Sequence, residues 1–127
     1  MRIESDAPII VGRVRIGGKT SPMRMDMILD TGATYTIIPW KVAERLGYDP
    51  ARVRKRVKIT TASSVEKAPV MTPGYIEALG KKATSVEAIC HDMPPRRRTD
   101  GLLGLSFLRK FETVINFKKG FVRVNNP

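Results

Sequence analysis

The chain has 127 residues and carries 23 Lys and Arg against 12 Asp and Glu, a formal charge of +11 at pH 7. With 42% hydrophobic and 28% charged residues, it fits one globular domain with a buried core, taken as residues 1–127 with its centre over about 8–124, and it falls outside the disordered and collagen-like classes. No run approaches the ~18 consecutive apolar residues of a membrane span, and residues 1–6 lack the apolar centre of a signal peptide, so no membrane span is expected in this chain.

Ile9 to Ile16 is rich in β-branched residues and stops at Gly17-Gly18, which reads as a strand and a turn. Met23, Met25, Met27 and Leu29 share one alternation parity while Arg24, Asp26 and Ile28 take the other, as a strand that delivers its end to a functional loop would do. That strand runs into Asp30-Thr31-Gly32-Ala33-Thr34, after which Thr36, Ile37 and Ile38 resume a β-rich run. Pro39 opens a short helix from Trp40 to Leu46, and Gly47 closes it. Residues 57 to 70 read as a hairpin arm with a small polar tip, Tyr75 to Leu79 and Ala83 to Cys90 as another hairpin turning at Gly80-Lys81-Lys82. Pro94 to Asp100 is expected to be irregular. Leu105, Phe107, Leu108 and Phe111 have the spacing of one short helix, and Thr113–Phe117 with Phe121–Val124 make a last hairpin. About eight short strands and one or two short helices predict an all-β, closed, barrel-like fold.

The basic residues cluster as Arg52, Arg54, Lys55, Arg56 and Lys58, then Lys81-Lys82, Arg96 to Arg98, and Lys118-Lys119. All fall at element ends or in turns, which reads as a solvated surface. Only eight residues are aromatic, one Trp, three Tyr and four Phe, and none interleaves with the basic runs as a base-stacking platform requires; no nucleic-acid partner is expected. A basic nucleic-acid-binding domain stands as the remoter alternative.

Cys90 is the single cysteine, so no intrachain disulfide and no multi-cysteine metal site can form. Behind Ala88 and Ile89 it reads as a small buried hydrophobe. His91, the single histidine, points to the opposite face of the strand from Cys90, a poor arrangement for a thiol–imidazole dyad. The lack of disulfides suits the cytoplasm, and a domain tethered to a membrane through a longer polypeptide would read the same way.

Asp-Thr-Gly at the end of an apolar strand places a carboxylate where burial is expected, at a cost of several kcal/mol unless backbone N–H groups and a second titratable group hold it. Gly32 is expected to let the backbone turn and aim an amide at that carboxylate. Ile28-Leu29-Asp30-Thr31-Gly32-Ala33-Thr34 resembles the active-site loop of retropepsins, the single-domain aspartic proteases. The hairpin tip Thr60-Thr61-Ala62-Ser63-Ser64 is similar to the flap that closes over substrate. Leu102-Leu103-Gly104 before Leu105-Ser106-Phe107-Leu108 resembles the hydrophobic-hydrophobic-Gly motif and helix beneath the loop, and Asp92 with Pro94 resembles a short acidic, proline-containing turn.

The resemblance implies a retropepsin-like acid-protease barrel that works as a homodimer on protein or peptide substrates, without cofactor or metal. Only one Asp-Thr-Gly is present, and Thr99-Asp100-Gly101 has the wrong order to supply a second. Two copies of Asp30 would meet on a two-fold axis, share one proton and activate water. Thr31 would bond across the dimer, Gly32 would steady the carboxylate and Ala33 would complete the loop. Thr61, Ala62, Ser63 and Ser64 would cover the substrate. The chain differs from retroviral members in having no glycine at the flap tip, Leu105 where they have Arg, and a short polar end at Asn125-Asn126-Pro127. A catalytically silent dimerisation or peptide-binding module of the same fold is the other reading.

Overall fold

The computed structural model describes residues 1–4, 7–60, 63–92 and 101–127. In chain order these form β1 (Ile10–Gly17), β2 (Met23–Leu29), β3 (Thr36–Ile38), α1 (Trp40–Arg45), β4 (Arg56–Thr60), β5 (Val65–Met71), β6 (Tyr75–Ala78), β7 (Lys81–Ala83), β8 (Ala88–Cys90), β9 (Gly101–Leu103), α2 (Leu105–Leu108), β10 (Glu112–Asn116) and β11 (Phe121–Asn125).

The inward parity of β2 is the one its sequence shows, with Met25, Met27 and Leu29 buried. In β1 the buried apolar side chains are Val11, Val14 and Ile16, which no unbroken alternation allows. A bulge resolves the mismatch: the register with β2 shifts between Val11 and Val14, and Arg13 takes a left-handed φ of 56°, with its amide directed to Asp26 Oδ1 at 3.3 Å. One extra residue keeps both valines in the core.

The helix α1 ends as its glycine predicts. Gly47 has φ 92°; its amide donates to the Glu44 carbonyl at 2.9 Å, and that of Tyr48 donates to Ala43 at 3.1 Å, the paired bonds of a Schellman cap. At the other end Pro39 offers no side-chain cap, and Asp92 Oδ1 accepts the Trp40 amide at 3.1 Å from a distant segment.

Nine strands make one sheet in the order β4-β5-β8-β3-β9-β2-β1-β6-β7, while β10 and β11 pair with each other. The sheet is open, so the expected closed barrel is not formed. Both end strands are cationic: β4 bears Arg56 and Lys58, β7 bears Lys81 and Lys82. Like charge on two edges opposes their pairing. Nor do the C-terminal strands bridge the gap, because β11 takes β10 on one side and Arg2 on the other.

The strand count also exceeds eight. Ala83 to Cys90 divides into β7 and β8, and the turn before it lies one residue earlier than expected, at Leu79 and Gly80 with φ of 53° and 77°, the positive pair of a type I′ turn. Gly101–Leu103 is a strand, β9, inserted parallel to β2 and beside β3. All three of its residues are buried, so it shows no alternation that would mark it in sequence. The helix after it is shorter than expected: α2 ends at Leu108, and Phe111 lies beyond it with its ring 5.2 Å from that of the fully buried Phe107. Phe107, Ile16, Met27, Ile38, Leu46, Ile76 and Leu103 are the largest fully buried apolar side chains, each worth about 2–3 kcal/mol of burial.

A Cβ on Gly101 would overlap the Ile37 carbonyl oxygen, a backbone atom fixed in the neighbouring strand. Gly101→Ala is expected to lower stability by about 3 kcal/mol, read as a shift in the urea midpoint; an unchanged midpoint would refute this packing.

Candidate active site

The loop after β2 is shaped by contacts with β9 and α2. The Asp30 amide donates to the Leu103 carbonyl at 3.0 Å and the Ala33 amide to the Asp30 carbonyl at 3.2 Å. Within this turn the Gly32 amide donates to Asp30 Oδ1 at 2.8 Å, so the carboxylate is held by a backbone donor two residues on. Gly32 does not use a left-handed φ, which among the described glycines is confined to Gly47, Gly80 and Gly120. It provides room instead: a Cβ there would stand 3.2 Å from the same carboxylate oxygen.

The first amides of a helix have no partner within the helix. In α2, which has no side-chain cap, these donors are used to fasten the loop. Leu105 donates to the Ala33 carbonyl at 2.8 Å and Ser106 to the Thr34 carbonyl at 3.0 Å. Behind them lies a hydroxyl pair that sequence reasoning did not single out. Thr36 is fully buried. Its Oγ1 accepts the Gly104 amide at 3.2 Å and the Ser106 hydroxyl at 3.0 Å, while its own amide donates to Ser106 Oγ at 2.9 Å. A threonine at an inward position between apolar neighbours was the available signal, because a buried hydroxyl must find partners. Gly104 allows the close approach, since a Cβ would lie 2.5 Å from the Tyr35 carbonyl and 2.7 Å from that of Ala33.

Asp30 is half-buried, and Thr31, Gly32 and Thr34 are exposed. The loop therefore lies at the surface of the single chain, which departs from the burial its apolar flanks suggested. The hairpin β4–β5 extends from the same side of the sheet order as β8 and β3, with Thr60 paired to Val65 nearest its tip. Ser63 and Ser64 are exposed there; Thr61 and Ala62 lie outside the described residues, as does the segment from Pro94 to Asp100 expected to be irregular. Under the arm, Val57 and Ile59 pack on a small cluster of Ala68, Val70 and Ile89, joined from the loop side by Tyr35 and Ile37.

Cys90 and His91 remain apart from this arrangement. Cys90 is 1% exposed, and burial, with the Asp92 and Glu44 carboxylates adding to it, pushes its thiol from 9.0 up to about 12. His91 Nδ1 lies 3.9 Å from Glu66 on β5. Among the described residues no three His, Cys, Asp or Glu side chains group as metal ligands would, and no helix is long and apolar enough to cross a membrane.

Residues 12–110 match the family described as "gag-polyprotein putative aspartyl protease". The chain belongs to the retropepsin-like aspartic protease family. Its fold is similar to the crystal structure of a retropepsin-like aspartic protease from Rickettsia conorii, with a TM-score of 0.66 and 20% identity over 94% of this chain and 91% of that one. Among curated proteins none matches.

Two outcomes test these contacts. Thr36→Val strands the buried Gly104 amide and is expected to cost about 1–3 kcal/mol in urea unfolding, with Ser106→Ala adding less than its own single effect because the two hydroxyls share bonds. Full additivity would show that they are uncoupled. The Cys90 thiol in the folded protein is expected to react with iodoacetamide at about pH 8 about a thousandfold more slowly than in the unfolded chain, from thiolate content alone; equal rates would show it is accessible.

Proposed function

We propose that this chain is one half of an aspartic endopeptidase, completed when a second copy brings its Asp30 against the first. The reading is carried by the Asp30 carboxylate, fixed by the Gly32 amide at 2.8 Å on a loop whose outer side is exposed. A lone carboxylate in that position lacks the partner that the chemistry needs. A two-fold axis through the loop is the simplest way to supply it from one sequence.

In the proposed dimer the two Asp30 carboxyls lie about 3 Å apart and hold one proton between them, because two adjacent negative charges repel. The charged Asp30 takes a proton from a water between them, and the protonated Asp30 donates to the scissile carbonyl oxygen. The water oxygen attacks the carbonyl carbon, giving a gem-diol. A carboxyl proton then passes to the leaving nitrogen as the C–N bond breaks, while the other carboxylate takes a proton from a gem-diol hydroxyl, which restores the shared-proton pair without a covalent enzyme intermediate. Thr31 would lock the two loops across the axis, and Gly32 and Ala33 would keep the carboxylates coplanar. Thr61, Ala62, Ser63 and Ser64 at the hairpin tip would lie over the peptide, which binds as an added strand.

Cleavage of a peptide library between about pH 3 and about pH 8 tests this. Asp30→Asn is expected to reduce kcat/KM by at least about a thousandfold without changing the unfolding midpoint appreciably; equal cleavage by the variant would remove the protease reading. Specific activity is expected to fall on dilution in step with dissociation seen by sedimentation, and activity of a strictly single chain would remove the shared site.

A further inference from the structure

Beside the candidate active-site loop is a pocket of about 360 Å³ that none of the chemistry above uses. Its lining includes Thr34 and Tyr35 after the loop, Ser106 of α2, Arg109 and Lys110 just past that helix, and Glu87. Tyr35 borders both this pocket and the cluster of Ala68, Val70 and Ile89 beneath the hairpin arm.

The charges of the pocket are unequal. The Glu87 carboxylate is bound by Lys55 from the base of the arm, and this bond raises the lysine's pKa, so the pair adds little net charge. Arg109 and Lys110 are exposed and, among the described residues, neither takes part in a salt bridge or side-chain hydrogen bond. The net field in the pocket is that of two uncompensated cations.

We propose, resting on the protease reading above, that this pocket receives a carboxylate side chain of the substrate, and that the preferred substrates are acidic a few residues from the bond that is cut. Thr34 is four residues after Asp30, a chain length that spans at most about 14 Å. An extended peptide rises ~3.3 Å per residue, so the acidic side chain falls within about four residues of the scissile bond. In the symmetric dimer the second copy presents the same pocket on the far side, and acidic residues on either flank are favoured. The overall charge of +11 adds long-range attraction for the same substrates.

The test compares two peptides that differ only as Glu or Gln about three to four residues from the cleaved bond, with the wild-type chain and with the double variant Arg109→Ala/Lys110→Ala. The expected result is a wild-type kcat/KM about three- to tenfold higher for the Glu peptide at low salt, shrinking as salt rises. In the variant the two peptides should be cut equally, at the wild-type rate for the Gln peptide. The reversal Arg109→Glu/Lys110→Glu should favour a Lys peptide. An unchanged Glu-to-Gln ratio in the variants overturns the pocket. Should the wild type cut neither peptide, the protease reading is what has failed. The pocket is then judged by fluorescence anisotropy with the same peptides: tighter binding of Glu than Gln that vanishes in the double variant supports it, and equal binding overturns it.

Discussion

The shape of the candidate active-site loop depends on how closely one backbone segment passes behind it. β9 is threaded between β2 and β3 and leads through Gly104 straight into α2. Its carbonyl at Leu103 takes the Asp30 amide, and the two amides that follow Gly104 take the Ala33 and Thr34 carbonyls. A Cβ on Gly104 would collide with two carbonyl oxygens of the loop segment. Any side chain there would push α2 off the loop and release those bonds together. The Thr36–Ser106 hydroxyl pair fills the remaining polar demand in a place where an unpaired donor costs about 1–3 kcal/mol.

What could be read from the sequence was local in origin. The parity of β2, the glycine that ends α1 and the hairpin turn of β10–β11 each depend on residues a few places apart, and the structure has them nearly as expected. What could not be read depends on partners distant in sequence. β9 is buried on both faces and has no alternation. The bulge at Arg13 changes parity inside a strand that looked regular. The open sheet depends on which strands become its edges, and only topology defines that. Thr36 and Ser106 are 70 residues apart, and nothing in either neighbourhood pairs them. Gly32 aims its amide at the Asp30 carboxylate without an unusual φ, and it leaves space beside that carboxylate.

The excess positive charge contributes little to holding the fold. The pairs Arg52–Asp49 and Lys55–Glu87 are exposed, and such pairs are worth under about 1 kcal/mol. Elsewhere cations face each other: Lys58 lies opposite Lys67 across the β4–β5 arm, and Arg15 opposite Arg24 across β1–β2, with Glu77 on the far side of Arg15. Directly opposed like charges disfavour a strand pair. The arm is held chiefly by Val57 and Ile59 on its inner face, an apolar seam strong enough to carry the repulsion on its outer one.

The fastening of the loop from behind has a bearing on how a partner meets it. The Asp30–Thr34 segment is anchored by β9 and α2 of its own chain, so its outer surface is given a shape without help from a partner. Surfaces that need no rearrangement lose less entropy on association and meet as rigid bodies. In the dimer proposed above, separation of the two halves would leave each with its geometry intact, and re-encounter would be limited by orientation and by repulsion between two strongly cationic bodies, not by refolding.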